Sequence, residues 1–217
     1  MPNSRPRSRL AALIATVCAA TAGLVPAAQA TDRAETPSPA TTAARAMDRT
    51  EQAATGIADR LTPSAPTAGG RVCLFHAPNG AYGAGHAGWA VMDGSGRWFS
   101  GATETKASKG FAGNWLRGPE DVNSMLGNFK AQRINKYTEF RCKNTSSGSP
   151  TGAVTRFKLL MNTEYNWLGN NCLTRSVLTF KAYSSAMNSL KSGVSIPPKW
   201  YFNIYLGYAG WESSVRL

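Results

Sequence analysis

Hydrophobic and polar positions change their rhythm several times along the chain. Arg71-Val-Cys-Leu-Phe75 is a short apolar run stopped by the turn-prone Pro78-Asn79-Gly80, and it predicts a strand. His86 to Met92 is a second such run, Asp93-Gly94-Ser95-Gly96 is a turn, and Arg97 to Thr103 is a third strand, so the pattern predicts a hairpin. Gly118-Pro119-Glu120-Asp121 has the composition of a helix start, with proline at the first helical position and acids in the first turn. Lys136 to Cys142 predicts a further strand. Ser149-Pro150 opens a helix running to about Asn162, with Val154, Phe157, Lys158 and Met161 on one stripe. After Gly169-Asn170-Asn171, the positions Leu173, Val177, Leu178 and Tyr183 predict another helix beginning near Cys172. The predicted order, β-β-β-α-β-α-α, is that of an α+β domain.

Upstream of Arg71 the pattern is different. Arg5, Arg7 and Arg9 precede the apolar stretch Leu10 to Val25, and Ala28-Gln29-Ala30 is a small-x-small cleavage site, so residues 1–30 are expected to be a secretory signal peptide. Cys18 stands behind Thr16-Val17, where a lipid-attachment site would have small residues, and it is expected to leave with the signal. Residues 31–70 hold only Met47, Ile57 and Leu61 as large aliphatics, too few to offset the entropy of ordering. That segment is expected to be a linker or propeptide, with a short helix over Met47 to Leu61.

Composition sharpens this division. The six tryptophans, seven tyrosines and eight phenylalanines all fall within residues 71–217, which are therefore the expected folded domain. The 217-residue chain carries a net charge of +12, and the domain alone has 17 basic against seven acidic residues. The basic residues are scattered without a dense run, which favours anionic cell-wall polymers or membrane surfaces as partners over nucleic acid. No apolar run reaches the roughly 20 residues of a membrane span, so no transmembrane segment is expected after signal cleavage. There is no nucleotide-binding glycine motif, and Cys73-x-x-His76 lacks the second ligand pair of a zinc site, so no cofactor or metal is expected. A secreted or wall-associated monomer is the expectation.

Loss of the signal leaves Cys73, Cys142 and Cys172, an odd number for an exported protein. Cys73 and Cys142 lie in predicted strands and can bridge if those strands are neighbours, which would leave Cys172 reduced. Cys172 falls at a predicted helix N-terminus, where free N–H groups and the helix dipole lower a thiol pKa and can hold an oxyanion. Such a thiolate works with an imidazole. His86, at a strand start, is preferred over His76, which follows the first strand in a loop. If Gly94-Ser95-Gly96 forms a three-residue hairpin loop with Asp93 facing Arg97, Glu104 lies opposite His86 and orients its ring. A loop one residue longer puts Thr103 there, and Ser100 is the weaker candidate. The bland alternatives are a buried structural thiol at Cys172 and a satisfied strand histidine at His86.

His86 at a strand start, followed by a Tyr-x6-Cys segment reading Tyr165 to Cys172 with Asn170-Asn171 before the cysteine, resembles the NlpC-like papain-fold superfamily. It is more similar to the circularly permuted branch that includes lecithin:retinol acyltransferase-like proteins, in which histidine precedes cysteine. The resemblance covers residues 71–183. It implies a papain-like α+β fold, Cys172 as nucleophile, His86 as general base, and a polar residue of the next strand, Glu104 or Ser100, as orienter. Tyr165 matches a tyrosine near the oxyanion in some members, and Asn171 is a neighbouring candidate for polarising the carbonyl. The implied function is a cysteine-dependent hydrolase or acyltransferase acting on an amide, ester or thioester, with extracellular or cell-wall peptides as leading substrates and acyl groups next. The alternative is a non-catalytic wall- or surface-binding protein of the same fold. The aromatic segment Ile196 to Tyr205 is expected to cap the core.

Overall fold

The computed structural model of the chain describes residues 56, 57, 61, 69–105, 113–192 and 196–217. The expected signal peptide (1–30) and most of segment 31–70 lie outside these residues. Strand β1 (Gly70–Ala77) is buried along its whole length, since it runs between two neighbours and is covered on both faces. Its neighbours are β2 (His86–Met92) and β5 (Glu139–Thr145). Beyond β2 lie β3 (Trp98–Thr103) and β4 (Asn114–Glu120), and the two-residue β6 (Val215–Arg216) borders β5. The sheet is antiparallel throughout, in the order β4-β3-β2-β1-β5-β6.

The longer helices among the described residues, which complete the α+β architecture, are α1 (Val122–Lys130), α2 (Pro150–Met161) and α3 (Cys172–Tyr183), and short helical turns follow from Pro198 to Tyr208. Strand alternation divides the core. Val72, Leu74, Ala87, Trp89 and Val91 pack with α2, α3 and the C-terminal segment, and Cys73, Phe75, Ala77, Ala90 and Met92 pack with α1. Leu61 is fully buried in the second cluster with Ile57 against it, so packing reaches upstream of residue 71.

The β2–β3 hairpin has the three-residue loop. The Asp93 N–H donates to Arg97 O at 2.8 Å, Asp93 Oδ1 accepts from Ser95 N and Arg97 N, and Gly96 has φ +81°. That left-handed φ is one glycine adopts without the Cβ penalty. The register follows, with Gly88 opposite Ala102 and Trp89 opposite Gly101, and its continuation sets His86 opposite Glu104.

Three expectations need correction. Pro119 does not open a helix: it lies in β4 after a cis Gly118–Pro119 bond, and Asp121 caps α1 by accepting from Asn123 N and Ser124 N. A proline fits there because β4 is an edge strand, where a missing N–H removes no ladder bond. The buried face of α2 is Ala153, Phe157, Leu160 and Met161, so Lys158 is exposed and Val154 only half-buried. In α3, Leu178 is half-buried while Thr174, Arg175, Ser176 and Thr179 are buried. This helix is enclosed on nearly all sides, so its apolar stripe understates its burial.

Cys73 and Cys142 are register partners on β1 and β5 and are joined by a disulfide across 69 positions of sequence. With its sulfur so used, Cys73 is no partner for His76 in a metal site. Among the described residues, no helix is long and apolar enough to cross a membrane. Of the C-terminal aromatics, Tyr201 and Phe202 are buried in the first cluster, while Trp200 is 45% exposed.

Candidate functional site

Among the described residues the free cysteine is Cys172, which heads α3. Asn171 is its N-cap, with extended φ and ψ and an Oδ1 that accepts from Thr174 N at 2.9 Å. The Asn171 Nδ2 donates to Trp167 O at 3.0 Å, so both ends of the amide are engaged within the protein. Its side chain thus holds the helix start, and Asn171 also lines the cleft of Cys172. The donors gathered on the sulfur are the backbone N–H groups of Ala87 and Leu173 and the Tyr165 hydroxyl. Tyr165 and Cys172 line the same cleft.

Burial of Cys172 outweighs these three hydrogen bonds and pushes the thiol up to about 11, with the nearby Glu104 carboxylate adding to the rise. The expectation that the helix N-terminus would lower this pKa is thus overturned by desolvation. His86 is shifted the other way: burial takes its imidazole down to about 3, His76 lowers it further, and a hydrogen bond to the Thr103 backbone opposes the shift. Near neutral pH the resting state is a thiol and a neutral imidazole.

Glu104 Oε2 stands 3.7 Å from His86 Nε2, which has no hydrogen-bond partner. The carboxylate is held by Trp115 Nε1 at 2.6 Å and Tyr137 Oη at 3.0 Å on one oxygen and by Asn135 Nδ2 at 2.8 Å on the other. Burial raises its pKa, and the three donors act against that rise. Glu104→Ala leaves the Trp115 and Tyr137 donors buried without their acceptor, while Asn135 keeps its bond to the residue 104 backbone carbonyl, and it is expected to cost about 2 kcal/mol or more, read as a fall in the denaturant midpoint. The other candidate orienters are used elsewhere. Ser100 Oγ donates to Glu120, and Thr103 Oγ1 donates to Asn114 Oδ1 at 2.6 Å.

The structure brings His86 to Glu104 but forms no hydrogen bond between His86 and the Cys172 sulfur. Strand alternation is the cause. Ala87, the next residue, belongs to the cluster of α3, while Ala77, opposite His86, belongs to the other. The two groups open into adjacent clefts of about 500 and 890 Å³, one lined by Cys172 and the other by His86 and Glu104. Tyr165, Trp167 and Ala81 line both clefts. Ala81 and Tyr82, in the β1–β2 connection, have φ +47° and +57°. For residues with a Cβ that conformation costs about 1 kcal/mol each, strain of the kind that gathers at functional sites.

His76 is not a loop residue. It lies in β1, fully buried, with Nδ1 3.0 Å from Glu139 Oε1 and its ring stacked on Phe202. It lines neither cleft. Its Nε2 faces Gly85, whose φ of +88° and close approach to this ring leave no room for a Cβ.

A pH effect follows from His86. Its folded-state pKa lies below the unfolded value of about 6.5, so the unfolded chain takes up the proton first. The resulting stabilisation is complete above pH 6.5 and is lost as pH falls towards 3. Melting temperatures between pH 7 and 4 are expected to fall more steeply for the wild type than for His86→Gln.

Four contributors were missed by sequence reasoning: Trp115, Asn135, Tyr137 and Arg175. The first three surround Glu104 from β4 and the α1–β5 connection. Arg175 carried one usable signal, a long charged side chain three residues after Cys172, among the polar positions Thr174, Ser176 and Thr179. Among the described residues, no group of three or more His, Cys, Asp or Glu side chains could hold a metal ion. Comparison of the chain with protein-family models, with curated proteins and with solved structures finds no match.

Proposed function

We propose that this chain is an exported cysteine-dependent hydrolase or acyltransferase, built as a papain-like domain of the circularly permuted, NlpC-like kind. One observation carries the reading: the free thiol at the start of α3 takes hydrogen bonds from the Leu173 N–H and from the N–H of Ala87, the residue that follows His86. Nucleophile, helix start and histidine strand thereby meet at one point. In the proposed reaction His86 Nε2, the ring nitrogen without a hydrogen-bond partner, accepts the Cys172 proton, and the thiolate attacks the carbonyl carbon of an amide, ester or thioester. Tyr165 and the backbone donors face the charge that develops. The imidazolium returns its proton to the leaving group, and water or a second acceptor then cleaves the acyl-enzyme. Because thiol and imidazole rest in their neutral forms, proton transfer belongs to the substrate-bound state, after the imidazole has turned towards the sulfur. Extracellular or cell-wall peptides are the leading substrates.

A second reading has its own support. A thiol pushed up to about 11 without a hydrogen bond to His86 is also what a structural cysteine looks like, and Tyr82 and Trp167 stand exposed at the cleft rims. On that reading the protein binds an anionic wall polymer and performs no chemistry. Turnover of p-nitrophenyl esters, an acyl thioester and a peptide amide separates the two. Cys172-dependent cleavage of any one supports the enzyme, and inertness towards all three, with tight binding to wall polymer, supports the binding protein.

A further inference from the structure

Arg175 is among the largest fully buried side chains, yet its hydrogen bonds go only to neutral acceptors. Its Nε donates to Asn170 Oδ1 at 3.1 Å, one terminal nitrogen to Thr103 Oγ1 and Asn114 Oδ1 at 3.1 and 3.2 Å, and the other to Thr163 O at 2.8 Å. A buried guanidinium without a carboxylate is costly, because a fixed positive charge is left uncompensated. What it faces is the ring of Tyr165, 5.4 Å from the guanidinium carbon, and that hydroxyl is the side-chain donor to Cys172. Arg175 also grips Thr163 and Asn170, on either side of Tyr165, and ties them to β3 and β4 through Thr103 and Asn114. The Asn166–Asn170 bridge closes the same loop.

The geometry points to Arg175 as a positioning residue that fixes the Tyr165 hydroxyl on the Cys172 sulfur and supplies the positive charge that the thiolate lacks in its buried setting. The inference rests on Cys172 being the nucleophile. The other charged or titratable groups around the sulfur work differently: Glu104 opposes the thiolate, His86 is neutral, and Tyr165 and Tyr137 are protonated at neutral pH. Arg175 is then the cation that favours deprotonation, consistent with the mutual attraction between it and the ionised Cys172.

The test is the rate of Cys172 carbamidomethylation by iodoacetamide from pH 6 to 10, read by peptide mass on the folded mature chain. For Arg175→Gln the rate should fall about tenfold or more at every pH of this range, all of which lies on the rising limb below the thiol's value of about 11. Arg175→Lys, which keeps the charge, should stay within about threefold of the wild type. Tyr165→Phe, which loses one hydroxyl and keeps the packing, should displace the profile in the same direction. An unchanged profile in Arg175→Gln overturns the proposal. So does an unchanged profile in Tyr165→Phe, which decides the matter if Arg175→Gln does not fold, and so does a loss in Arg175→Lys as large as in Arg175→Gln. Turnover enters none of these readouts, so a failed role for Arg175 and a failed enzyme reading are separate results.

Discussion

Cys172→Ala is expected to lower acyl cleavage by about 10³-fold or more while the melting temperature moves by only a few degrees. The size follows from the chemistry, since without the thiol no acyl-enzyme forms and only binding and the backbone donors remain. The small stability effect follows from the site. The sulfur sits at the first residue of α3, and removing it empties a space of one atom while the Asn171 cap on Thr174 N stays in place. Cys172→Ser should be nearly as inactive, because a hydroxyl in the same buried setting is a far poorer nucleophile. Initial rates on p-nitrophenyl esters, with circular dichroism melts alongside, check both halves. A variant that keeps full turnover means that Cys172 is structural.

The disulfide carries the largest stability effect. Joining Cys73 to Cys142 closes 69 positions of sequence, and loop closure of that length is worth about 4 kcal/mol in the unfolded chain. Cys73→Ala with Cys142→Ala should therefore lower the melting temperature by on the order of 10 °C. The bridge spans β1 and β5 at the middle of the sheet, in the core cluster that also contains Phe75 and Phe140. Its loss should loosen the β1–β5 pairing and leave α3 packed on the other face. Thermal melts of the oxidised wild type, the reduced wild type and the double variant measure it, and the last two should coincide.

Much of the site was legible because it depends on local rules. A three-residue loop with glycine at its left-handed position set the β2–β3 register, and a strand period of two then carried Glu104 to His86. The odd cysteine was likewise legible, since Cys73 and Cys142 sit in strands and Cys172 after a helix break. What stayed hidden was tertiary. The strand β4 contains Arg117, Gly118, Pro119 and Glu120, a polar edge whose pattern looks like a loop or helix start. Arg175 in a helix looks like a solvated position until both flanks of the helix prove to be covered. The thiol pKa shows the same limit. The helix start that favours thiolate is written in Asn171-Cys172, but the burial that outweighs it comes from β2 and from the loop bearing Tyr165.

The most direct measurement is mass spectrometry of the folded protein mixed briefly with a p-nitrophenyl acyl ester and quenched in acid, with peptide mapping. The account predicts one acyl group on Cys172 in the wild type, less in His86→Gln, and none in Cys172→Ala. Product release with no adduct on Cys172, or an adduct on another residue that persists in Cys172→Ala, would contradict it.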